Sequence, residues 1–308
     1  MSRSPVNAEE RGAGVLLGLA LGDALGAPHE GGPLERALWA LLSLPHGRLL
    51  RWTDDTQMAV AAAESLIAAG GVDTDDLARR WAADARYLRG YGPGTWKWIR
   101  RVRSGEDWRA AARSVFPDGS FGNGGAMRAA PFGVFYHARP DSLASMTAEA
   151  TAVTHAHPLG VEGGVLLASA TAAAMRGDFA PREFLLGLKE RVRRDEFRSR
   201  LDWAAAALSA PRTPREVRRA LGNGVAAHES AVTALYAFAR HHDDFEAMMS
   251  LVISIGGDAD TIGAMAGAVF GARNGAGALP ADRLERLEER ERIERLGREL
   301  AKRAAAAS

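Results

Sequence analysis

Gly256-Gly257-Asp258-Ala259-Asp260-Thr261-Ile262-Gly263-Ala264-Met265-Ala266-Gly267-Ala268-Val269-Phe270 sets an acidic turn directly before a run of small and apolar residues. Met265, Val269 and Phe270 recur at helical spacing, so the run reads as a helix over Thr261–Ala272. A second stretch repeats the design. Trp52-Thr53-Asp54-Asp55-Thr56 precedes a segment with Met58, Val60 and Leu66, which closes at the Gly70-Gly71 stop. Working outward, helical spacing recurs over Ala8–Leu25, Asp75–Arg89, Ser142–Ala152, Gly160–Met175, Pro181–Arg193, Arg198–Leu208, Pro214–Leu221, Glu229–Arg240 and Phe245–Ile253. Few stretches alternate with period two, so no sheet is expected. The reading is an all-α fold, one helical domain over 1–308, with glycine-rich loops between helices. Ala281 to Arg303 reads as a charge-laced amphipathic helix whose Leu284, Leu287, Ile293, Leu296 and Leu300 form a docking stripe too short and irregular for a coiled coil.

Composition narrows the chemistry. The 308 residues suffice for a substantial core, and the net charge of +1 provides no broad field for nucleic acid or anionic lipid. There is no cysteine, which excludes disulfides, thiolate zinc sites and cysteine nucleophiles. No uninterrupted run of about 18 apolar residues occurs, so no membrane span is expected. Val15 to Leu21 is short and flanked by Glu9, Glu10 and Asp23, against a signal peptide. A cytoplasmic monomer is the expectation.

The acidic turns admit two readings. Thr53 and Asp258 suit N-caps, and acids in a first turn suit the helix dipole. Yet three adjacent oxygen-bearing side chains exceed what capping needs, and the apolar helices that follow look buried, where carboxylates must be paired or hold a cation. Arginine would serve as that cation. An all-oxygen set without His or Cys suits magnesium, manganese or calcium better. Four carboxylates and two hydroxyls suffice for two ions about 3.5–4 Å apart.

Gly119-Ser120-Phe121-Gly122-Asn123-Gly124-Gly125 is the most glycine-dense stretch, and suits either a flexible turn or close backbone approach to a pyrophosphate. It is neither a Walker loop nor a dinucleotide fingerprint. Gly222-Asn223-Gly224-Val225 reads from spacing as a helix C-cap. His155 and His157 lack further ligands in register for zinc and suit hydrogen bonding or ring packing. Glu30 reads as an acid in a mobile loop.

Taken together these stretches resemble the ADP-ribosylglycohydrolases. The matching pieces are Gly18-Leu-Ala-Leu-Gly-Asp-Ala-Leu-Gly-Ala27, Trp52-Thr-Asp-Asp-Thr56, Gly122-Asn-Gly-Gly-Ala-Met-Arg128, Thr154-His-Ala-His157, Gly222-Asn-Gly-Val-Ala-Ala-His-Glu-Ser230 and Gly256-Gly-Asp-Ala-Asp-Thr261, in the family's order over about residues 11–275. The resemblance implies a compact orthogonal all-α fold whose glycine-rich loops form a metal-containing cleft. It implies two magnesium ions, with manganese as the alternative, held by Thr53, Asp54, Asp55, Asp258, Asp260 and Thr261. Ser120, Phe121, Gly122, Asn123, Gly124 and Gly125 would cradle the diphosphate and ribose of ADP-ribose, and His155, Gly224 and Val225 would line the pocket. Glu30 matches a glutamate that in some members sits over the metals.

The expected reaction is hydrolysis at the anomeric carbon of the distal ribose, releasing ADP-ribose from a protein side chain or small conjugate. Glu30 or Asp55 would be the acid/base partner. A metal-dependent nucleotide phosphohydrolase and a non-catalytic ADP-ribose-binding protein are the rivals. The leaving group stays open among arginine, serine and O-acetyl linkages, with arginine favoured by resemblance to bacterial members.

Overall fold

Gly14, Gly18 and Gly22 recur every fourth residue, and so do Gly263, Gly267 and Gly271. In the computed structural model, which describes residues 6–177 and 179–306, these two rows face each other. Gly14 meets Gly271, Gly18 meets Gly267 and Gly22 meets Gly263, so the two helices run antiparallel. A Cβ on any of these six glycines would collide with a backbone carbonyl of the facing helix. Bare backbone lets the axes approach more closely than side chains would allow.

The helices in chain order are α1 Ala8–Gly26, α2 Pro33–Ser43, α3 Asp54–Ala69, α4 Thr74–Asp84, α5 Pro93–Arg103, α6 Trp108–Val115, α7 Gly124–Met127, α8 Ala130–Phe135 and α9 Pro140–Ala152. There follow α10 Pro158–Met175, α11 Pro181–Leu188, α12 Asp195–Ala207, α13 Pro214–Leu221, α14 Ala227–Arg240, α15 Phe245–Ile255, α16 Ala259–Asn274, α17 Ala281–Leu284 and α18 Arg290–Ala306. No β-strand occurs among the described residues. Only isolated bridges are present, Leu50 with Leu287 and Gly122 with Ala226.

α1, α10 and α16 are buried on nearly all sides and form the centre of the core. α10 is long and apolar enough to cross a membrane by composition alone, yet 72% of it is buried against other helices, as befits a core helix. Arg11, in the first turn of α1, donates Nη1 hydrogen bonds to Ala272 O at 2.8 Å and Ala174 O at 3.2 Å. It thereby satisfies terminal carbonyls of α16 and α10 that have no partner within their own helices. Gly12 packs against the backbone of Gly297, which brings α18 onto α1.

The terminal stripe docks as its pattern implies, with Leu284, Leu287, Ile293, Leu296 and Leu300 buried. Each such side chain contributes about 1.5–3 kcal/mol when fully buried. The tail is not one helix, however. The chain leaves helical geometry after Leu284, and Glu289 adopts a positive φ of 55°. The break lets Leu50 N–H donate to Arg286 O at 2.7 Å and Glu288 N–H to Leu50 O at 3.0 Å.

The helix read over Asp75–Arg89 ends at Asp84. Residues 85–92 turn instead to bring the Arg89 carbonyl onto the Asp54 N–H at 2.6 Å. Five short helices, α2, α5, α6, α7 and α8, fall outside the spans read from periodicity. Pro33, Pro93 and Pro131 begin three of them at first-turn positions, where a missing N–H costs nothing.

Candidate metal centre

The glycine contact between α1 and α16 decides where the acids meet. It places the last turns of α1 beside the first turn of α16, and α3 begins against the same end of α1. Thr261 Oγ1 donates to Asp55 Oδ1 at 3.3 Å. Asp23, Asp55 and Asp260 each offer an oxygen within 4.8 Å of the others, and Glu30, Asp258 and Asp260 do the same. Asp260 belongs to both triads, so the two candidate cation positions share a carboxylate.

Asp23 is the residue that spacing did not single out. It is the only charged residue of α1 between Gly12 and Gly26, and it is fully buried. An acid alone in so apolar a helix is itself a signal, because a buried carboxylate needs partners. Both of its oxygens accept the Thr53 N–H, at 3.0 and 2.9 Å. Oδ2 also accepts the Thr56 N–H at 3.1 Å and the Thr56 hydroxyl at 2.5 Å. Asp23 thus caps α3 from another helix, satisfying donors at its N-terminus.

The two readings of the acidic turns separate here. Thr53 does cap α3, its hydroxyl accepting the Asp55 N–H at 3.4 Å. Asp258 sits at the cap position of α16 but caps nothing. Its Oδ2 accepts from Asn123 Nδ2 at 2.5 Å, and its N–H donates to Asn223 O at 2.9 Å. Asp260 Oδ1 accepts the Thr261 N–H at 2.8 Å. Asp55 Oδ2 is buried and has no hydrogen-bond partner among the described residues. Asp54 lies against Gly90, outside both triads.

No lysine or arginine forms an ion pair with Asp23, Asp54, Asp55, Asp258 or Asp260 among the described residues. Burial, reinforced by neighbouring carboxylate charge, holds Asp54, Asp55 and Asp260 well above the usual carboxylate range. Burial pushes Asp23 up to about 6, against the pull of its hydrogen bonds from Thr56 and Thr53. Several desolvated acids around one unpartnered oxygen form a site that fits a hard divalent cation. Arg128 is one counter-charge that the protein itself sets near Asp54. It is fully buried over the Trp81 ring at 3.7 Å, and its charge acts on Asp54 without an ion pair. Burial lowers its pKa to about 9.

The glycine loop stands beside the acids. Asn123 N–H donates to Val225 O at 2.8 Å, Ala227 N–H donates to Phe121 O at 3.0 Å, and Gly224 N–H donates to Glu229 Oε2 at 3.2 Å. Ser120 Oγ accepts the Gly122 N–H at 3.2 Å. These bonds join Ser120–Gly125 to Gly224–Val225, with the Phe121 and Val225 side chains exposed. His155 lies buried beneath the loop, its Nδ1 2.7 Å from Thr154 Oγ1. Burial and the nearby Arg128 charge hold it at about 3, so it is neutral. A Cβ at Gly124 would strike its ring. The helix after the loop is a single turn, Gly124–Met127. Gly222 caps α13 with a φ of 85°, as its spacing suggested.

The turn at Thr53 is braced from the C-terminal segment. Arg89 makes a bidentate ion pair with Glu288 at 2.8 and 2.7 Å, stacks over Trp52 at 3.8 Å, and donates to Trp52 O at 2.6 Å.

Residues 4–308 match the ADP-ribosylglycohydrolase family profile. The chain is 32% identical over 320 residues to the zebrafish (Danio rerio) protein named ADP-ribosylhydrolase ARH3, covering 90% of this chain and 86% of that one. It is 33% identical to the Homo sapiens ARH3 over 319 residues, covering 87% and 86%. An Archaeoglobus fulgidus protein of unassigned function is 34% identical over 306 residues, covering 95% and 96%. A solved structure titled "ADP-ribosylglycohydrolase-related protein complex" superposes with a TM-score of 0.73 at 30% identity, covering 96% of this chain and 99% of that one. The match includes α18 and the Glu288 brace on the Thr53 turn as well as the acidic turns, and on that span the chain belongs to the ADP-ribosylglycohydrolase family.

Proposed function

We propose that this protein hydrolyses the glycosidic bond at the distal ribose of an ADP-ribose conjugate, using two divalent cations, magnesium before manganese. The observation that carries the reading is the pair of acid triads sharing Asp260, with the unpartnered Asp55 Oδ2 between helices. Asp23, Asp55, Asp258, Asp260 and Glu30 would hold the cations, with Asp54 and the Thr53 and Thr261 hydroxyls completing the set. When bound, the cations would neutralise the acids and supply Lewis acidity beside the anomeric carbon.

The chain's own groups divide the remaining work. The Ser120–Gly125 loop cradles the diphosphate and ribose, with Gly224 and Val225 lining the pocket beside it. His155, uncharged, supports that loop without repelling or attracting the phosphates. Asn123 ties the loop to Asp258, so that seating the nucleotide and ordering the acids are one event. Water adds to the anomeric carbon, the bond to the leaving atom breaks, and that atom keeps the electron pair and takes a proton. The water's own proton passes to a carboxylate, and Glu30, half-buried beside Asp258 and Asp260, is the acid/base partner we favour over Asp55. Ionised carboxylates around the carbon also favour the oxocarbenium-like charge that builds there.

The test is a panel of arginine-, serine- and O-acetyl-linked ADP-ribose conjugates, assayed with and without chelator. Chelator-sensitive release of free ADP-ribose supports the reading, and arginine linkages are the first expected. AMP with ribose phosphate as products would instead mean diphosphate cleavage. ADP-ribose binding without turnover of any conjugate would mean a non-catalytic protein.

A further inference from the structure

A cavity of about 720 Å³ opens between α9, α10 and α11, and it includes none of the acids of the metal centre. That volume lies within the range of about 300–1,000 Å³ usual for small-molecule sites. Its wall comes from the C-terminal half of α10, whereas the glycine loop packs at the N-terminal end of that helix. Ser169 stands 11 residues beyond Pro158 by number, about 16 Å along the axis at 1.5 Å per residue.

The lining combines three kinds of surface. Leu143, Phe184 and Leu188 present apolar side chains. Ser169 lines the cavity at only 6% exposure, and its hydroxyl has no hydrogen-bond partner among the described residues. A serine within a helix ordinarily returns its hydroxyl to the preceding turn. Thr171, two residues on, does this, donating to Leu167 O at 3.0 Å. Arg176 and Arg191 stand at the mouth, exposed and with no carboxylate partner among the described residues. Glu183 also lines the mouth, with its carboxylate 3.9 Å from Arg182.

We infer that this cavity binds an apolar organic acid, its hydrocarbon body against Leu143, Phe184 and Leu188 and its anionic group between Arg176 and Arg191. The Ser169 hydroxyl supplies one directional contact within the apolar wall. An apolar chamber alone would take many molecules. The two guanidinium groups, without a carboxylate partner among the described residues, select for an anion, because charge-assisted hydrogen bonds to arginine are stronger than neutral ones.

The probe is 8-anilinonaphthalene-1-sulfonate, titrated by fluorescence into the full-length chain without divalent cation and competed with decanoate. One saturable site displaced by decanoate is expected. The double variant Arg176→Glu/Arg191→Glu should bind at least about tenfold more weakly, since both charge-assisted contacts become repulsive. Ala173→Trp should fill the chamber and abolish binding. Hydrolysis of ADP-ribose conjugates should be unchanged in both. Unsaturable dye binding, or an affinity in the double variant within about twofold of the parent, would overturn the inference. The dye would then be resting elsewhere, for example on the exposed Leu34, Leu38 and Leu41 of α2. Because the titration uses no cation and no turnover, its outcome is independent of the metal-centre reading.

Discussion

Asp55 and Thr261 are 206 positions apart in the chain, and their side chains meet at 3.3 Å. Thr261 is the donor, so the Asp55 oxygen it reaches is partly satisfied while the other, Oδ2, is left without a partner. A buried, unsatisfied carboxylate oxygen is costly. A proton or a cation on Asp55 offsets that cost, which is the physical cause of its raised pKa.

Asp260, shared by both triads, gives the sharpest test. Asp260→Asn should reduce conjugate hydrolysis by at least about a hundredfold and remove the magnesium-induced rise in Tm. In chelator, the same variant should melt higher than the parent, because one of several mutually repelling buried charges is gone. Each kcal/mol recovered corresponds to about 2–4 °C in a chain of this size. A chelated variant less stable than the parent would contradict the electrostatic account.

Asp23 sets a pH dependence whose sign can be worked out. Burial raises its carboxyl to about 6 in the folded state. In metal-free protein its contribution to stability is therefore complete below about pH 4 and is lost as pH rises through about 6. Asp54, Asp55 and Asp260, raised in the same direction, extend the loss upward. Magnesium needs the ionised forms. The Tm gain from saturating magnesium should be small near about pH 5 and grow toward about pH 7.5. Equal gains at both pH values would count against this coupling.

Asn123 holds Asp258 without belonging to either triad. Asn123→Ala should raise the magnesium concentration for half-maximal activity by about 10–100-fold, the usual effect of removing an outer partner of a ligand. Rate at saturating magnesium should recover most of its value. A variant whose magnesium response is unchanged would show that Asp258 needs no such support.

Glu288 braces the Thr53 turn through Arg89. Glu288→Ala leaves a guanidinium buried at 5% exposure without its carboxylate, and should cost about 3–5 kcal/mol by denaturant melt. The double variant Arg89→Met/Glu288→Met should recover much of that stability, since no unpaired charge remains. Equal losses in both variants would mean that the pair is needed for geometry rather than charge balance.

The glycine rows can be separated from glycines in general. Gly18→Ala sets a methyl against the Gly267 carbonyl, where backbone must move, and should cost about 3 kcal/mol or more. Gly187→Ala in α11 meets nothing within 4 Å and should stabilise by about 0.5–1 kcal/mol. Destabilisation of similar size at both positions would dismiss the close-approach explanation.

Much of the helical layout was legible in one dimension. Gly70 stops α3 in a left-handed conformation, φ 71°, and Pro214 and Gly222 bracket α13 as turn chemistry dictates. These signals act over three or four residues, so spacing alone carries them. The short helices α6 to α8 were not legible, because one or two turns give too little period to distinguish from a loop. The break at 285–289 was invisible for another reason. It exists to pair with Leu50, a partner some 235 positions away that helical spacing does not report.

By itself the sequence determined the all-α class, the two acidic turns before small-residue helices, the glycine loop, and the motif order that identifies the family. Local residue chemistry suffices for each of these. Only tertiary structure decided that Asp258 caps nothing and is held by Asn123, that Asp23 joins the acids, and that Asp260 is common to both triads. Those facts depend on how near α1 and α16 approach, and that distance is set by glycines meeting carbonyls of a distant segment; each helix carries its own glycine row, but neither row names the segment it will face.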